Sequence, residues 1–221
     1  MIEGDLRSFH IVRNAVKGID YILHQGTLPS VPRSINNPMT TNYVNILEAA
    51  KEFGVKRVVY ASSSSLYGNS EKLPKVEDMP VAPLSPYALS KYADEGYCHI
   101  YYKIYGLETI VLRYFNVFGP NQDPTSQYSA VIPKFIKLMK ENKRPTIYGD
   151  GTQSRVFTCV SNNVEANLLA CTVKNVAGKV FNIACGERYT ILQLVDTINK
   201  ILGKSIEPVF EKERVSDVMH S

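Results

Sequence analysis

Residues 56–65 read Lys-Arg-Val-Val-Tyr-Ala-Ser-Ser-Ser-Ser, an apolar run of strand length that passes directly into four hydroxyl side chains. Apolar residues fall on both parities of the run, which is typical of a strand covered on two faces in a parallel sheet. Further runs of this kind predict strands at 19–24, 109–113 and 179–184. Between the runs, apolar residues recur three and four apart and predict helices at 41–53, 86–105, 130–141, 162–174 and 190–202. This alternation predicts an α/β fold with a parallel sheet.

The composition is that of an ordinary globular chain, because 44% of the 221 residues are hydrophobic and 21% are charged. No stretch approaches the roughly 18 uninterrupted apolar residues of a membrane helix. The first seven residues carry acids where a secretory signal would be basic. We therefore expect a soluble, cytoplasmic protein with no membrane partner. The net charge of +4 is too small an excess to indicate a nucleic-acid partner.

The four cysteines form no Cys-x-x-Cys pair, and the four histidines form no i, i+4 pair with a neighbouring acid. This spacing predicts neither a metal site nor a disulfide framework. We expect all four cysteines to be free thiols that pack as small buried apolar residues.

Tyr87 and Lys91 stand four residues apart on the helix predicted to begin at Pro86, so their side chains share one face. A nearby lysine ammonium favours the phenolate and lowers the pKa of a tyrosine, which can then act as a general base toward a substrate hydroxyl. The spacing alone arises readily by chance. The serines at 62–65 strengthen it, because they follow a predicted strand, where open α/β sheets bind ligands. The alternative for these serines is a turn that caps a helix.

Several stretches resemble, in order along the chain, the extended short-chain dehydrogenase/reductase family and its NAD-dependent UDP-sugar 4-epimerases. They are Glu-Gly-Asp-Leu-Arg at 3–7, His-Gln-Gly-Thr-Leu-Pro-Ser-Val-Pro-Arg-Ser at 24–34, Tyr-Ala-Ser-Ser-Ser-Ser-Leu-Tyr-Gly at 60–68, Leu-Ser-Pro-Tyr-Ala-Leu-Ser-Lys at 84–91, Leu-Arg-Tyr-Phe-Asn at 112–116 and Ile-Tyr-Gly-Asp-Gly at 147–151. The resemblance implies a Rossmann-like, doubly wound sheet for NAD and a smaller α/β part for the UDP-sugar. We place the boundary in a turn-prone connection, which gives domains at 1–118 and 119–221, the second interleaved with the sheet.

The resemblance implies transient oxidation of the sugar at C4 without net redox change. Tyr87 would take the proton of the 4-hydroxyl while a hydride passes to NAD. Lys91 would hold the nicotinamide ribose and lower the tyrosine pKa, and Ser63, with Ser64, would hydrogen-bond the same sugar oxygen. The 4-keto sugar would then rotate and receive the hydride on its other face.

The remaining site residues follow from the same resemblance. For the cofactor, the residues that match the family's contacts are Asp5 and Leu6 at the adenine, Gln25, Gly26 and Thr27 beside the nicotinamide ribose, and Phe115 near the nicotinamide. For the nucleotide sugar, they are Ser30 and Arg33 facing the hexose, and Asn116, Val131, Tyr148, Arg155 and Asp217, with Arg155 opposite the pyrophosphate. The family also implies a homodimer.

The chain departs from the family at several points. It has no Gly-x-x-Gly-x-x-Gly turn for the cofactor pyrophosphate, so we expect the family's first two strands and its closing helices to be missing. Val156 stands where the family carries an aspartate, and Met219 where it carries an arginine. A second hypothesis is therefore an inactive epimerase-like fragment, and we expect this chain alone to be inactive.

Related activities form a third possibility, namely a UDP-glucuronate decarboxylase or a sugar-nucleotide 4,6-dehydratase. The dehydratases carry an Asp-Glu pair after the first catalytic hydroxyl, and this chain has Ser64-Ser65 there. The serines favour an epimerase over a dehydratase.

Overall fold

A computed structural model describes residues 1–26, 44–124, 130–213 and 219–220. The helices are α1 (Phe9–Val16), α2 (Val44–Glu52), α3 (Pro86–Tyr105), α4 (Val131–Lys140), α5 (Val160–Thr172) and α6 (Ile191–Leu202), with a 3-10 helix at Ser64–Tyr67. The strands are β1 (Tyr21–His24), β2 (Arg57–Ser63), β3 (Glu108–Tyr114), β4 (Val117–Phe118), β5 (Thr146–Tyr148), β6 (Ser154–Arg155), β7 (Thr158–Cys159), β8 (Val180–Ile183), β9 (Tyr189–Thr190) and β10 (Val209–Glu211).

The four strands predicted from apolar runs form one parallel sheet in the order β1, β2, β3, β8. His24 lies opposite Tyr60, and Ser63 lies opposite Tyr114. The carboxyl ends of the first three strands therefore lie side by side. The predicted α/β fold with a parallel sheet is confirmed.

Helices cover the sheet on both faces. Because side chains alternate along a strand, Val58 and Tyr60 of β2 join a core with α1, α2 and α3, while Val59 faces the opposite side. There it packs with Ile110, Leu112 and Ala170, the last of which belongs to α5. This arrangement is the doubly wound form of the fold.

Helix α3 has well-defined ends that fix the position of its first turns. The Ser85 hydroxyl accepts from the Ala88 amide at 3.1 Å, and Pro86 occupies the first helical position. At the other end, Gly106 adopts a φ of 70° and donates its amide to the carbonyls of Tyr101 and Tyr102. The sequence prediction of 86–105 matches this helix.

A second core lies away from the sheet, where α4 and α6 pack together over β5. Its buried residues are Phe135, Met139, Ile147, Ile191, Val195 and Ile198. A capping box between Thr190 and Gln193 begins α6. The second core belongs to a smaller part of the molecule, from which α5 and β8 return to the sheet. The domain boundary between 118 and 119 stays a prediction.

Some expectations need correction. Residues 1–4 carry no strand, and α1 was not predicted. All four cysteines are free and Cys98 is buried, but Cys185 is exposed and accepts from the Asn162 amide at 3.0 Å. Within the described ranges, no helix is long and apolar enough to cross a membrane.

Candidate functional site

The serine cluster marks the carboxyl end of the central strand β2. Ser63 is its last residue, and its hydroxyl accepts from the Ser65 amide at 3.2 Å, so it also caps the 3-10 helix that begins with Ser64. Both readings of the cluster therefore hold in part, because the serines end a strand of a parallel sheet and also cap a turn of helix. Ser63 is half-buried and Ser64 is buried.

Lys91 reaches the same strand end from helix α3. Its side chain is only 2% exposed, and its ammonium donates to the Ala61 carbonyl at 2.6 Å, two residues before Ser63. The ammonium also lies 4.7 Å from the centroid of the Tyr60 ring, within the range of a cation–π contact. Tyr87 lies one helical turn before Lys91 and is half-buried.

Asp94 completes a buried group that we call the lysine cluster, formed by His24, Tyr60, Lys91 and Asp94. The Tyr60 hydroxyl donates to the Asp94 carboxylate at 2.7 Å, and the His24 and Tyr60 rings lie 5.5 Å apart. All four side chains are buried.

The lysine cluster carries strongly shifted pKa values. Burial lowers the pKa of Lys91 to about 8, although Asp94 and other acidic groups oppose this shift. Burial raises the pKa of Asp94 to about 6, against the effects of Tyr60 and Lys91. Burial and the Lys91 charge lower the pKa of His24 to about 4. Burial, Asp94 and, more weakly, Cys98 and Tyr87 raise the pKa of Tyr60, so electrostatic coupling links Tyr87 to this cluster.

A second buried polar group, the arginine cluster, consists of Ser62, Tyr67, Glu95, Arg113 and Asn182. Arg113 donates to both Glu95 oxygens at 3.0 and 2.8 Å, and Ser62 donates to Glu95 at 2.5 Å. Arg113 also donates to the Tyr67 hydroxyl at 2.8 Å, which in turn donates to the Asn182 side chain at 2.7 Å. This network ties α3 to β2, β3, β8 and the 3-10 helix. It therefore fixes the helix that carries Tyr87 and Lys91.

A cavity of about 290 Å³ opens beside this strand end. Its lining includes Asn116, two residues after Tyr114, which lies opposite Ser63 in the sheet. The cavity therefore lies at the same edge of the sheet as the serine cluster. The predicted nucleotide-sugar residues that line it are Asn116, Val131, Tyr148 and Arg155.

The lining of the cavity combines aromatic and cationic side chains. Phe118 and Phe157 meet edge to face with their rings 6.4 Å apart, and Lys134 and Arg155 supply two cations. Asn116 adopts a φ of 26°, and its side-chain amide donates to the Val156 carbonyl at 3.1 Å, which holds this unusual backbone in place.

Residues 1–184 of the chain match the NAD-dependent epimerase/dehydratase family. The chain belongs to this family. Its fold, a doubly wound parallel sheet with a cavity beyond the carboxyl ends of the strands, agrees with that membership.

Individual members are similar over nearly the whole chain. A putative UDP-glucose 4-epimerase of Methanocaldococcus jannaschii is 37% identical over 91% of this chain and 67% of its own length. The chain spans about two thirds of the length of the curated relatives it matches, with 60% for the second and 64% for the third.

Solved structures agree with the fold. A UDP-N-acetylglucosamine 4-epimerase of Methanobrevibacter ruminantium, solved with UDP-N-acetylmuramic acid, is 37% identical with a TM-score of 0.93, over 100% of this chain and 72% of that one. A UDP-glucose 4-epimerase of Thermus thermophilus, solved with NAD, is 29% identical with a TM-score of 0.88, over 100% and 74%.

The residues that the epimerase resemblance assigns to the cofactor differ from one another in burial and in hydrogen bonding. Leu6 approaches Gly26 so closely that a Cβ on the glycine would stand 2.7 Å from the leucine Cδ1. Gln25 donates to Asn167 at 2.8 Å and accepts from Tyr114 at 3.1 Å, so it is fixed between β1, β3 and α5. Asp5 is exposed and bonded to Arg7, which lowers its pKa to about 2.

Phe115 is buried in an apolar cluster with Tyr67, Met79 and Val156. Val156, which the resemblance places where the family carries an aspartate, therefore has an apolar environment. Thr27, Ser30, Arg33 and Asp217 lie outside the described residues.

Sequence reasoning missed both polar clusters of this family member. Asp94 and Glu95 follow Lys91 by three and four residues, so helical spacing already placed them on its side of α3. Tyr60 and Arg113 lay inside predicted strands and gave no signal of their own. Their partners become apparent only when the strand register is known.

Proposed function

We propose that this chain carries the catalytic and substrate-binding residues of an NAD-dependent UDP-sugar 4-epimerase. The observation that carries the proposal is the buried Lys91 ammonium, bonded to the Ala61 carbonyl at the end of the strand that leads into Ser63. Tyr87 stands one helical turn away, and the cavity with Arg155 opens at the same edge of the sheet.

The residues at this edge fit the nicotinamide end of NAD. Gly26 lacks a side chain where Leu6 leaves no room for one, and Lys91 and Gln25 are held in place by hydrogen bonds. Bound NAD supplies a hydride acceptor and donor, so the reaction is redox-neutral. The sequence contains no glycine-rich turn for the pyrophosphate, and we therefore expect weak NAD binding by these 221 residues alone.

The chain's own residues then handle protons and position the sugar. Tyr87 as a phenolate accepts the proton of the sugar 4-hydroxyl and later returns it to the same oxygen. Lys91 as an ammonium favours that phenolate, and the Ser63 hydroxyl donates a hydrogen bond to the oxygen. Arg155 and the aromatic walls of the cavity hold the nucleotide diphosphate, which leaves the hexose free to present either face.

Replacing Tyr87 by phenylalanine tests this assignment. The assay uses a fusion in which the glycine-rich segment of an epimerase relative precedes Met1, with the chain alone as the low-activity reference. We expect Tyr87→Phe to lower turnover of UDP-glucose or UDP-N-acetylglucosamine at least about a hundredfold, because a general base is lost. Cofactor binding should hardly change.

Tyr92→Phe is the matched control, since Tyr92 is an exposed tyrosine on the same helix. It should leave turnover unchanged. Turnover by Tyr87→Phe close to that of the parent fusion would show that another group is the base. No turnover by the parent fusion would favour the inactive epimerase-like hypothesis.

A dehydratase is the second candidate, and the 3-10 helix weighs against it. Ser64 and Ser65 occupy this helix, and neither supplies the carboxylate that elimination of water requires. The same assay should therefore yield an epimerised sugar and no 4-keto-6-deoxy product. The homodimer stays a prediction, for which α3 offers the exposed side chains of Leu89, Ile100 and Ile104.

A further inference from the structure

Asp94 is a buried acid for which the proposed reaction has no direct use. Its side chain is 4% exposed, and no salt bridge to it occurs within the described residues. Its carboxylate accepts the Tyr60 hydroxyl at 2.7 Å. A buried charge that no direct ion pair neutralises costs stability, so its presence calls for a reason.

We propose that Asp94 is a positioning residue for the reaction, whose buried carboxylate acts through Tyr60 to keep Lys91 charged and fixed at the end of β2. This inference rests on the proposed function, which requires Lys91 as an ammonium. It adds a residue to the site that the spacing of Tyr87 and Lys91 does not reveal.

The geometry supplies the link. Tyr60 contacts both charged groups, with its ring centroid 4.7 Å from the Lys91 nitrogen and its hydroxyl bonded to the Asp94 carboxylate. A phenol that donates to a carboxylate gains electron density, and an electron-rich ring attracts a cation more strongly. The ammonium is thus held by both the Ala61 carbonyl and the polarised ring.

None of the other titratable groups around Lys91 in the described residues is an anion that is free to stabilise its charge. From β1, His24 is neutral at physiological pH because its pKa lies near 4. On α3, burial raises the pKa of the Cys98 thiol, which stays protonated, and Glu95 is already bonded to Arg113. Tyr60 and Tyr87 are the phenols facing the group. Among the described residues, Asp94 is therefore the anion near Lys91 that no arginine neutralises.

The titration of Lys91 itself tests the proposal in the 221-residue chain without any cofactor. The Cε resonances of ¹³C-labelled lysine are followed by NMR against pH, and Lys91→Met assigns the signal. We expect a midpoint near 8 in the parent chain. In Asp94→Asn, which retains an acceptor for Tyr60 but removes the charge, the midpoint should fall by on the order of one pH unit.

Asp196→Asn is the control, because it makes the same change at an exposed position on α6. Its Lys91 midpoint should equal that of the parent. An unchanged midpoint in Asp94→Asn would overturn the proposal. Should that variant fail to fold, Tyr60→Phe removes the hydroxyl link while retaining the ring, and an unchanged midpoint there would overturn the proposal equally.

Activity gives a separate readout in the fusion protein. In Asp94→Asn, the alkaline fall of kcat/KM should begin at lower pH by the same shift, whereas a merely structural loss would lower activity at all pH values. The NMR midpoint does not depend on turnover. A shifted midpoint in an inactive fusion would therefore contradict the proposed function and leave intact only the effect of Asp94 on the charge of Lys91.

Discussion

The lysine cluster and the arginine cluster stem from neighbouring residues of α3, yet they have opposite characters. In the arginine cluster, Glu95 and Arg113 satisfy each other through two hydrogen bonds. In the lysine cluster, Lys91 and Asp94 are just as buried but form no direct ion pair within the described part of the chain. Burial lowers the pKa of Lys91 and raises that of Asp94, so it favours the uncharged form of each. The Glu95–Arg113 ion pair holds elements of the fold together, whereas charges that form no ion pair, such as that of Lys91, can act on a bound molecule.

The difference teaches how one helix can be both anchored and reactive. The arginine cluster fastens α3 to the strands through Ser62 and Tyr67. That anchor allows the preceding residues of the helix, from Lys91 to Asp94, to hold charges that oppose folding. Three substitutions probe this contrast.

Arg113→Met should have the largest effect on stability. It leaves Glu95 buried with no cation, since both side chains are only 6% exposed. We expect a loss of about 3–5 kcal/mol in the free energy of unfolding, measured by urea denaturation. Arg7→Met is the control, because its pair with Asp5 is exposed, and it should leave the unfolding midpoint unchanged. An equally small loss in Arg113→Met would remove the distinction between the clusters.

Asp94→Asn should have an effect of the opposite sign that depends on pH. The folded-state pKa of Asp94 is raised from 3.8 to about 6, so the stability present at low pH is lost as the pH rises through 6. Asparagine does not titrate. Relative to the parent, the variant should gain about 2 kcal/mol between pH 4 and pH 7, measured by denaturation at each pH. A constant difference across this range would show that Asp94 is not a buried ionised acid.

Ser62→Ala should have the smallest effect. The Ser62 hydroxyl donates to Glu95 at 2.5 Å, but the carboxylate keeps both bonds from Arg113. We therefore expect a loss of about 1 kcal/mol in unfolding free energy. Ser205→Ala, at an exposed position, serves as the reference and should be neutral. A loss as large as that of Arg113→Met would mean that the serine is essential to the network.

The sequence predicted the regular elements of the fold because their signals are local. Apolar runs marked the four strands, and Ser85-Pro86 marked the start of α3. Helix α1 escaped because its eight residues span little more than two turns, which is too short a window for helical periodicity to be distinctive.

The site was predictable where it follows from family motifs or helical spacing. Asn116, Val131, Tyr148 and Arg155 come from distant parts of the chain, and only the resemblance placed them together before the cavity was known. The roles of Tyr60 and Arg113 were not predicted, because the partner of a polar side chain on a strand belongs to a neighbouring element that the local sequence does not identify. Their partners lie 34 and 18 residues away along the chain.

The parallel sheet also governs how fast the chain can reach its native state. Strands β2, β3 and β8 begin at residues 57, 108 and 180, so each pairing joins segments separated by a complete crossover. Such non-local contacts require the entropy of a long loop to be lost before any hydrogen bond is gained. Folding should therefore be slow compared with that of a helical bundle of equal size. During that interval the apolar faces of β2 and β3 stay exposed to other chains, and refolding yield should fall as protein concentration rises.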